Sequence, residues 1–430
     1  MELPSIIEPY RDRPVAILGL GVSGHGAMNL LQACNLECHG FDEAKDKHFL
    51  EQDAGRYGLV VYSPGFAQDH PWLESARKAG CYCLGELDLA ALFWQNPIIA
   101  VTGTNGKTTL VKLLAEAYES LGVPAVATGN VGHSFSNVCL DYNETDCIAI
   151  CEVSSYQAEG LKHFYADALI WINFDEDHLD RHLTLENYFK AKHALLATLR
   201  RPCFIAGRSV AQAADKYRIK LPGFSEIVDD QLPKGFFLPE GPFAKEPQLQ
   251  NYLMAHKYWE LEGLDVGQLT LVCRDFYLPP HRLQKIAEVD GIAFWDDSKG
   301  TNFSAAIAAL SVFPDPVRWI GGGKDRGGDK TTFLKSICPK VKKAYLIGET
   351  RFFLEGELKS LCIDCQCFTD ISLAVEAAFG DAIAGESVVL SPGFASWDQF
   401  KSYADRGISF KNAVLQSLTR VLARGAHFLP

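Results

Sequence analysis

The chain has 430 residues, 47% hydrophobic and 22% charged, with 36 Gly and 20 Pro; this composition excludes the collagen-like, coiled-coil and disordered classes. With 53 acidic against 41 basic residues the net charge is −12, which argues against a nucleic-acid backbone binder, since that needs clustered Lys and Arg. At roughly 100 to 200 residues per domain, the length fits two to four domains, and three are expected.

The opening MELPSIIEPYRDRP has no positive region leading into an apolar one, and no apolar run reaches about 18 residues. A cytoplasmic protein is therefore expected. The 13 cysteines are odd in number and scattered. Several, namely Cys139, Cys147, Cys151 and Cys203, fall in apolar strand-like runs, which fits reduced core thiols. Cys362, Cys365 and Cys367 have part of a zinc spacing, but no neighbouring ligand completes it.

Short apolar runs alternate with helix-length amphipathic segments from end to end. That pattern predicts an α/β protein with mostly parallel sheets. Breaks at Trp94–Pro97 and at Tyr277–Pro280 divide it into residues 1–94, a Rossmann-like domain, residues 95–279, a phosphate-loop ATPase-type domain, and residues 280–430, a second Rossmann-like domain.

In the first segment, Val15–Leu18 reads as a strand. Gly19, Leu20, Gly21, Val22, Ser23 and Gly24 then fit the G-x-G-x-x-G turn, with Asp42 at the end of the next apolar stretch. The turn suits a diphosphate and does not separate a dinucleotide from a nucleotide-sugar. Glycines serving helix–strand packing alone are the alternative.

The second segment opens with the strand Ile98–Val101 and then Thr102, Gly103, Thr104, Asn105, Gly106, Lys107, Thr108 and Thr109, directly before a helical run from Leu110 to Ser120. This is a phosphate loop of the short G-x-x-G-K-T form. Its backbone N–H groups and helix N-terminus favour phosphate, Lys107 suits the β/γ-phosphates, and Thr108 suits Mg2+.

The strand Cys147–Cys151 ends at Glu152, a carboxylate where open α/β sheets put their ligands, although such a Glu also serves as an ordinary cap or surface residue. The strand Leu169–Asn173 empties into Asp175-Glu176-Asp177-His178-Leu179-Asp180-Arg181-His182, which has the character of a site loop. The His178/His182 spacing makes only a weak zinc case, since oxygen-rich surroundings suit Mg2+ better. A helix is expected from Leu185 to Leu199. It puts Lys192 in an apolar stripe with Tyr188 and Leu195, so that Lys192 either snorkels or has its charge used in a site. Residues 221–248, rich in Pro, Gly and Phe, are expected to be irregular.

In the third segment, strands are expected at Ile292–Trp295, Val317–Ile320, Ala344–Ile347 and Val388–Leu390. Two strand-end loops, Trp295–Asn302 and Ser391–Phe400, carry Lys299, Thr301, Ser396 and other polar groups. Together they suggest a second-substrate site.

Taken together, these motifs resemble the Mur ligases, ATP-dependent amide-forming enzymes of peptidoglycan assembly, over nearly the whole chain. The initial glycine turn, Tyr62-Ser63-Pro64-Gly65, the Asp297–Asn302 loop and the Ser391–Phe400 loop are most similar to those of the members that add D-glutamate. The resemblance implies that ATP phosphorylates the carboxylate of UDP-N-acetylmuramoyl-L-alanine, and that the D-glutamate amine then attacks the acyl phosphate. It implies catalytic roles for Lys107, Glu152, His178 and Lys192, with one Mg2+ on Thr108 and Glu152 and a second on His178 and a carbamylated Lys192.

By the same resemblance, Gly103 to Thr109, Asn251, His281, Arg282 and Asp297 would meet ATP. Gly19 to Ser23, Asp42, Ser63, Pro64, Gly65, Asn130, Ser154 and Gln157 would meet the UDP-sugar. Lys299, Thr301, Arg326, Ser396, Trp397 and Phe400 would meet D-glutamate. A monomer is expected, without membrane insertion or nucleic acid.

Two positions depart from the family pattern: Arg326, in Gly322-Gly323-Lys324-Asp325-Arg326-Gly327, stands where a Lys is common, and Pro247-Gln248 replaces a His-Asn pair. The competing readings are another Mur ligase, a folylpolyglutamate synthase-like ligase, an NAD-dependent oxidoreductase, which would leave Lys107 and Thr108 without a role, and a regulatory NTPase, which would leave the third-segment loops unexplained.

Overall fold

A parallel strand covered on both faces must be apolar along its whole length, and Val15–Leu18 and Ile98–Thr102 are buried at every position. The computed structural model describes residues 1–142, 145–229 and 238–425. Among these the chain builds an α/β fold with three sheets.

The first sheet holds β1 (Val15–Leu18), β2 (Cys38–Phe41), β3 (Leu59–Tyr62) and β4 (Tyr82–Gly85) in the order β2-β1-β3-β4, all parallel. Successive strands go to opposite sides of β1, so a crevice opens between the C-terminal ends of β1 and β3. The second sheet holds β5 (Ile98–Thr102), β6 (Ala125–Gly129), β7 (Ile148–Glu152), β8 (Ala168–Trp171), β9 (Phe204–Gly207) and β10 (Ser225–Val228), in the order β10-β9-β8-β5-β7-β6. The third holds β11 (Gln284–Val289), β12 (Ile292–Asp296), β13 (Val317–Gly321), β14 (Val341–Leu346), β15 (Cys365–Cys367) and β16 (Ser387–Leu390), in the order β11-β12-β16-β13-β14-β15. Its one antiparallel pairing is the hairpin β11–β12.

The chain gathers into two compact units, residues 1–174 with 186–276, and residues 175–185 with 277–430. In the first unit the helix Glu86–Phe93 ties the first sheet to the second. Asp88 is fully buried and accepts the backbone N–H groups of Lys162, His163 and Phe164 at 2.7–2.9 Å. Glu86 accepts the N–H of Ser136 at 2.8 Å. In the second unit both faces of the third sheet are covered: Trp319, Phe333 and Leu354 pack on one side, and Ile320, Tyr345 and Phe410 on the other.

Several local expectations need correction. Cys139 lies in the helix Phe135–Asp141 instead of a strand, its buried thiol donating to the carbonyl of Ala90. The helix expected to Leu199 is α-helical over Leu185–His193 and tightens into a 3-10 turn over Ala194–Thr198. Within the stretch expected to be irregular, Ser225–Val228 pairs in parallel with β9, and residues 230–237 of that stretch lie outside the described residues. The charged loop that follows β8 belongs with the second unit.

Candidate functional site

The phosphate loop joins β5 to the helix Lys107–Ser120. Gly106 supplies the left-handed turn at the helix start, φ +85°, and a Cβ there would come within 2.5 Å of Asn251 Oδ1, so glycine is required on both counts. Lys107 Nζ donates to the carbonyls of Gly103 and Thr104, both at 2.9 Å. Thr108 Oγ1 donates to Glu152 Oε2 at 2.8 Å, while Asn130 Nδ2 donates to Glu152 Oε1 at 3.0 Å. Three residues from separate segments thus meet at the ends of adjacent strands. A buried carboxylate beside a hydroxyl is a hard oxygen donor set that fits Mg2+.

Lys192 is 1% exposed and does not snorkel. Its Nζ donates to Thr102 Oγ1 at 3.0 Å and to the carbonyl of Gly103 at 2.9 Å, and lies 5.2 Å from the centre of the Tyr188 ring. The apolar stripe of the helix therefore delivers an ammonium to the base of the phosphate loop.

At the first sheet, Ser63 Oγ donates to the carbonyl of Gly19 at 2.9 Å, which joins the loops after β1 and β3. A Cβ at Gly24 would fall 1.8 Å from that same carbonyl oxygen, so helix–strand packing demands glycine. Asp42 accepts the N–H of Leu20 at 2.7 Å and that of Ala44 at 3.0 Å. Gly21, Val22 and Ser23 open the helix Val22–Ala33, and Pro64 and Gly65 follow β3. Ser154 and Gln157 form a capping box on a short helical turn just after Glu152.

In the second unit, the loops after β12, β13 and β16 emerge from the C-terminal ends of neighbouring strands. A small cavity in this unit is lined by His178, Thr301, Asn302, Lys324, Arg326 and Phe394, among others. Arg326 pairs with Asp177 at 3.0 Å, contacts His178, and sets its guanidinium 5.6 Å from the centre of the Trp397 ring. Burial raises the Asp177 carboxyl, but His178, Arg326 and the Asn302 amide outweigh it and hold the group below the usual carboxylate range. Lys324 pairs with Glu349 at 2.7 Å.

Asp297 accepts from Ser391 Oγ at 2.7 Å and from the N–H of Leu283 at 3.1 Å, and burial pushes its carboxyl up to about 7. His281 Nδ1 lies 2.6 Å from Asp296 Oδ2, with Arg282 next along the chain. Ser396 is buried, and the carbonyl of the preceding residue, Ala395, accepts from Arg406 at 3.3 Å.

The first unit therefore brings together Lys107, Thr108, Asn130, Glu152, Lys192 and Asn251. The second brings together His178, Thr301, Arg326 and Trp397. Phe400 packs against the core around Ile320 and Phe410; the ring set against Lys299, 4.1 Å from its Nζ, is that of Tyr403. Motif matching passed over Tyr403, and also Arg406, whose fully buried guanidinium bonds the carbonyls of Ser298, Phe394 and Ala395. A long-range tie of this kind has no local sequence signature. Among the described residues no group of three or more His, Cys, Asp or Glu side chains gathers as a ready metal site.

A Mur ligase middle domain family model matches residues 101–222. The chain is 34% identical to a UDP-N-acetylmuramoylalanine–D-glutamate ligase of Protochlamydia amoebophila, over 95% of this chain and 99% of that protein. It is 33% identical to the enzyme of the same name from Caldanaerobacter subterraneus, over 94% and 98%. Among solved structures, the UDP-N-acetylmuramate-alanine ligase of Thermotoga maritima is similar in fold, with a TM-score of 0.62, 14% identity and coverage of 94% and 100%. A murein peptide ligase of Psychrobacter arcticus gives 0.55, with 14% identity and coverage of 94% and 98%.

Proposed function

The chain belongs to the Mur ligase family, in its D-glutamate-adding branch, and from that premise we propose how its own residues divide the work. It is an ATP-dependent amide ligase that adds D-glutamate to UDP-N-acetylmuramoyl-L-alanine in peptidoglycan synthesis. The observation that carries the residue assignment is the line Thr108–Glu152–Asn130, which links the phosphate loop, a buried carboxylate and an amide across hydrogen bonds of 2.8 and 3.0 Å.

The alanyl carboxylate oxygen attacks the γ-phosphorus of ATP and the bridging oxygen leaves with ADP. The amine nitrogen of D-glutamate then attacks the acyl carbon, a tetrahedral intermediate collapses, phosphate leaves and the nitrogen loses its extra proton. Little covalent help from the protein is needed, so positioning and charge stabilisation dominate. Lys107 and the N–H groups of the first helical turn hold the β/γ-phosphates. Thr108 and Glu152 hold one Mg2+, which when bound neutralises charge on the transferring phosphoryl oxygens. Asn130 orients Glu152 and meets the reacting end of the UDP-sugar, with Ser154 and Gln157 beside it.

The family resemblance is what proposes His178 and a carbamylated Lys192 as ligands of a second Mg2+; unmodified, the Lys192 ammonium is a donor and does not ligate a cation. Gly19 to Ser23, Asp42 and Ser63 to Gly65 take uridine diphosphate. Gly103 to Thr109, Asn251, His281, Arg282 and Asp297 take ATP. Lys299, Thr301, Arg326, Ser396 and Trp397 take D-glutamate, with Tyr403 joining them and Phe400 supporting from the core. Three domains, over residues 1–94, 95–279 and 280–430, a monomeric state and a cytoplasmic location complete the reading. No helix among the described residues is long and apolar enough to cross a membrane.

Phosphate release from ATP and Mg2+ tests it. Release is expected only with UDP-N-acetylmuramoyl-L-alanine and D-glutamate together; release with L-glutamate, L-lysine or a folate instead would overturn the substrate assignment. Calorimetry should show the UDP-sugar binding and NADH not binding.

A further inference from the structure

The first half of the phosphate loop is held by an amide that the proposed mechanism leaves without a role. Asn173 follows β8 and is 9% exposed. Its Oδ1 accepts the backbone N–H of Thr104 at 3.0 Å and that of Asn105 at 2.9 Å. Its Nδ2 donates to Gln250 Oε1 at 2.8 Å. The main chain at Asn173 is held as well, its carbonyl accepting Trp171 Nε1 at 3.2 Å and the Thr104 N–H at 3.2 Å.

An amide end has one acceptor and one donor face, and turned over it would point N–H at N–H. Gln250 Oε1 fixes the face that Asn173 shows to the loop. Gln250 sits one position before Asn251 on the helix Gln248–Leu261. Asn251 itself donates from Nδ2 to Gln248 Oε1 at 2.8 Å, and its Oδ1 lies against Gly106. One helix thus reaches three consecutive loop residues, through Gln250 and Asn173 at Thr104–Asn105 and through Asn251 at Gly106.

We propose that Asn173 and Gln250 are positioning residues for ATP. They clamp the N–H groups of Thr104 and Asn105 inward, so that the loop presents the N–H groups of Gly106, Thr108 and Thr109 to the phosphates in a preset arrangement. This rests on the ATP assignment of the loop. The N–H groups of Thr104 and Asn105 then shape the cradle without being its phosphate donors. A cradle set before ATP arrives leaves less ordering to be done on binding, so the clamp acts on ATP affinity and leaves the amino-acid step untouched.

The test is Gln250→Met, which keeps length and removes the acceptor. One hydrogen bond is expected to change ATP affinity about fivefold. A non-hydrolysable ATP analogue, titrated by calorimetry, and the KM for ATP should both weaken by that factor, with kcat and the KM for D-glutamate within twofold of wild type. Asn173→Ala, which removes both side-chain contacts to the loop and keeps the main-chain one, should weaken analogue binding at least tenfold. Unchanged analogue binding in a folded Gln250→Met protein would overturn the clamp and leave the ATP site standing. Equal losses for all three substrates with a lowered melting temperature would assign the pair to stability and overturn it too. Absence of analogue binding in wild type would instead overturn the ATP assignment on which the clamp rests.

Discussion

The two units hold their polar groups by different means. In the first, the N–H side of the phosphate loop is braced by a neutral amide, Asn173 on two N–H groups, while Lys107 and Lys192 bond the loop carbonyls and Thr108 and Asn130 bond Glu152. In the second, the cavity residue Arg326 is held by a formal charge, Asp177, with His178 and Trp397 around it. Neutral hydrogen bonds are short-ranged and directional, and they fix a backbone shape. An ion pair attracts over longer range and yields to competing charge. The first arrangement suits a loop that must keep one geometry for a phosphate chain. The second suits a cation that exchanges a protein carboxylate for a substrate carboxylate.

The largest expected effect breaks the first arrangement at its charged centre. Glu152→Gln should lower kcat about a thousandfold, the size expected when a group that stabilises transition-state charge is lost. Steady-state kinetics at saturating Mg2+ checks it, and a change below tenfold would remove Glu152 from the metal role. Lys192→Ala should come next, with activity down about a hundredfold and partly restored by added small carboxylates. Full activity without them would dismiss the carbamate.

Arg326→Ala sharpens the contrast. Its KM for D-glutamate should rise about thirtyfold, the loss of a charge-assisted pair, with the KM for ATP within twofold. Equal rises would place Arg326 in general support of the fold.

The smallest effect is one of stability. Burial pushes the Glu86 carboxyl up to about 7 from its ordinary value of 4.5, and its second oxygen has no partner among the described residues. A raised acid binds its proton more tightly when folded. Stability from this group is therefore full below about pH 4.5, falls as pH rises through 7, and then levels off. Glu86→Gln, which keeps an acceptor for the Ser136 N–H, should be more stable than wild type at pH 8 by up to about 3 kcal/mol, as 1.36 kcal/mol per pKa unit implies. The gap should close toward pH 5. Melting temperatures at the two pH values decide it, and a constant gap would show that ionisation of Glu86 is not its source.

Much of the fold and of the candidate site was legible in the sequence. The glycine turns, the phosphate loop and the carboxylate at the end of β7 are local, because a strand, a tight turn and a helix start each leave their residue types within a few positions. The stripe position of Lys192 was legible too, but periodicity left a snorkelling and a buried side chain both open, and the fold decided for burial. Residues whose roles depend on contacts between distant segments left no such mark. Asn173 and Gln250 stand 77 positions apart, and Arg406 reaches Ser298 across 108. Tyr403, against Lys299, lay three residues beyond the aromatic that motif matching chose.

The amino-acid sequence by itself determined the α/β class, the order of the strand–turn–helix units and the chemistry of each strand-end loop, since those follow from hydrophobic period and local backbone need. Only the tertiary structure decided which loop faces which. It assigned the charged loop after β8 to the second unit, turned the Asn173 amide toward the phosphate loop and gave Arg326 its carboxylate. Long-range packing and buried hydrogen-bond satisfaction select among arrangements that local propensity leaves equal.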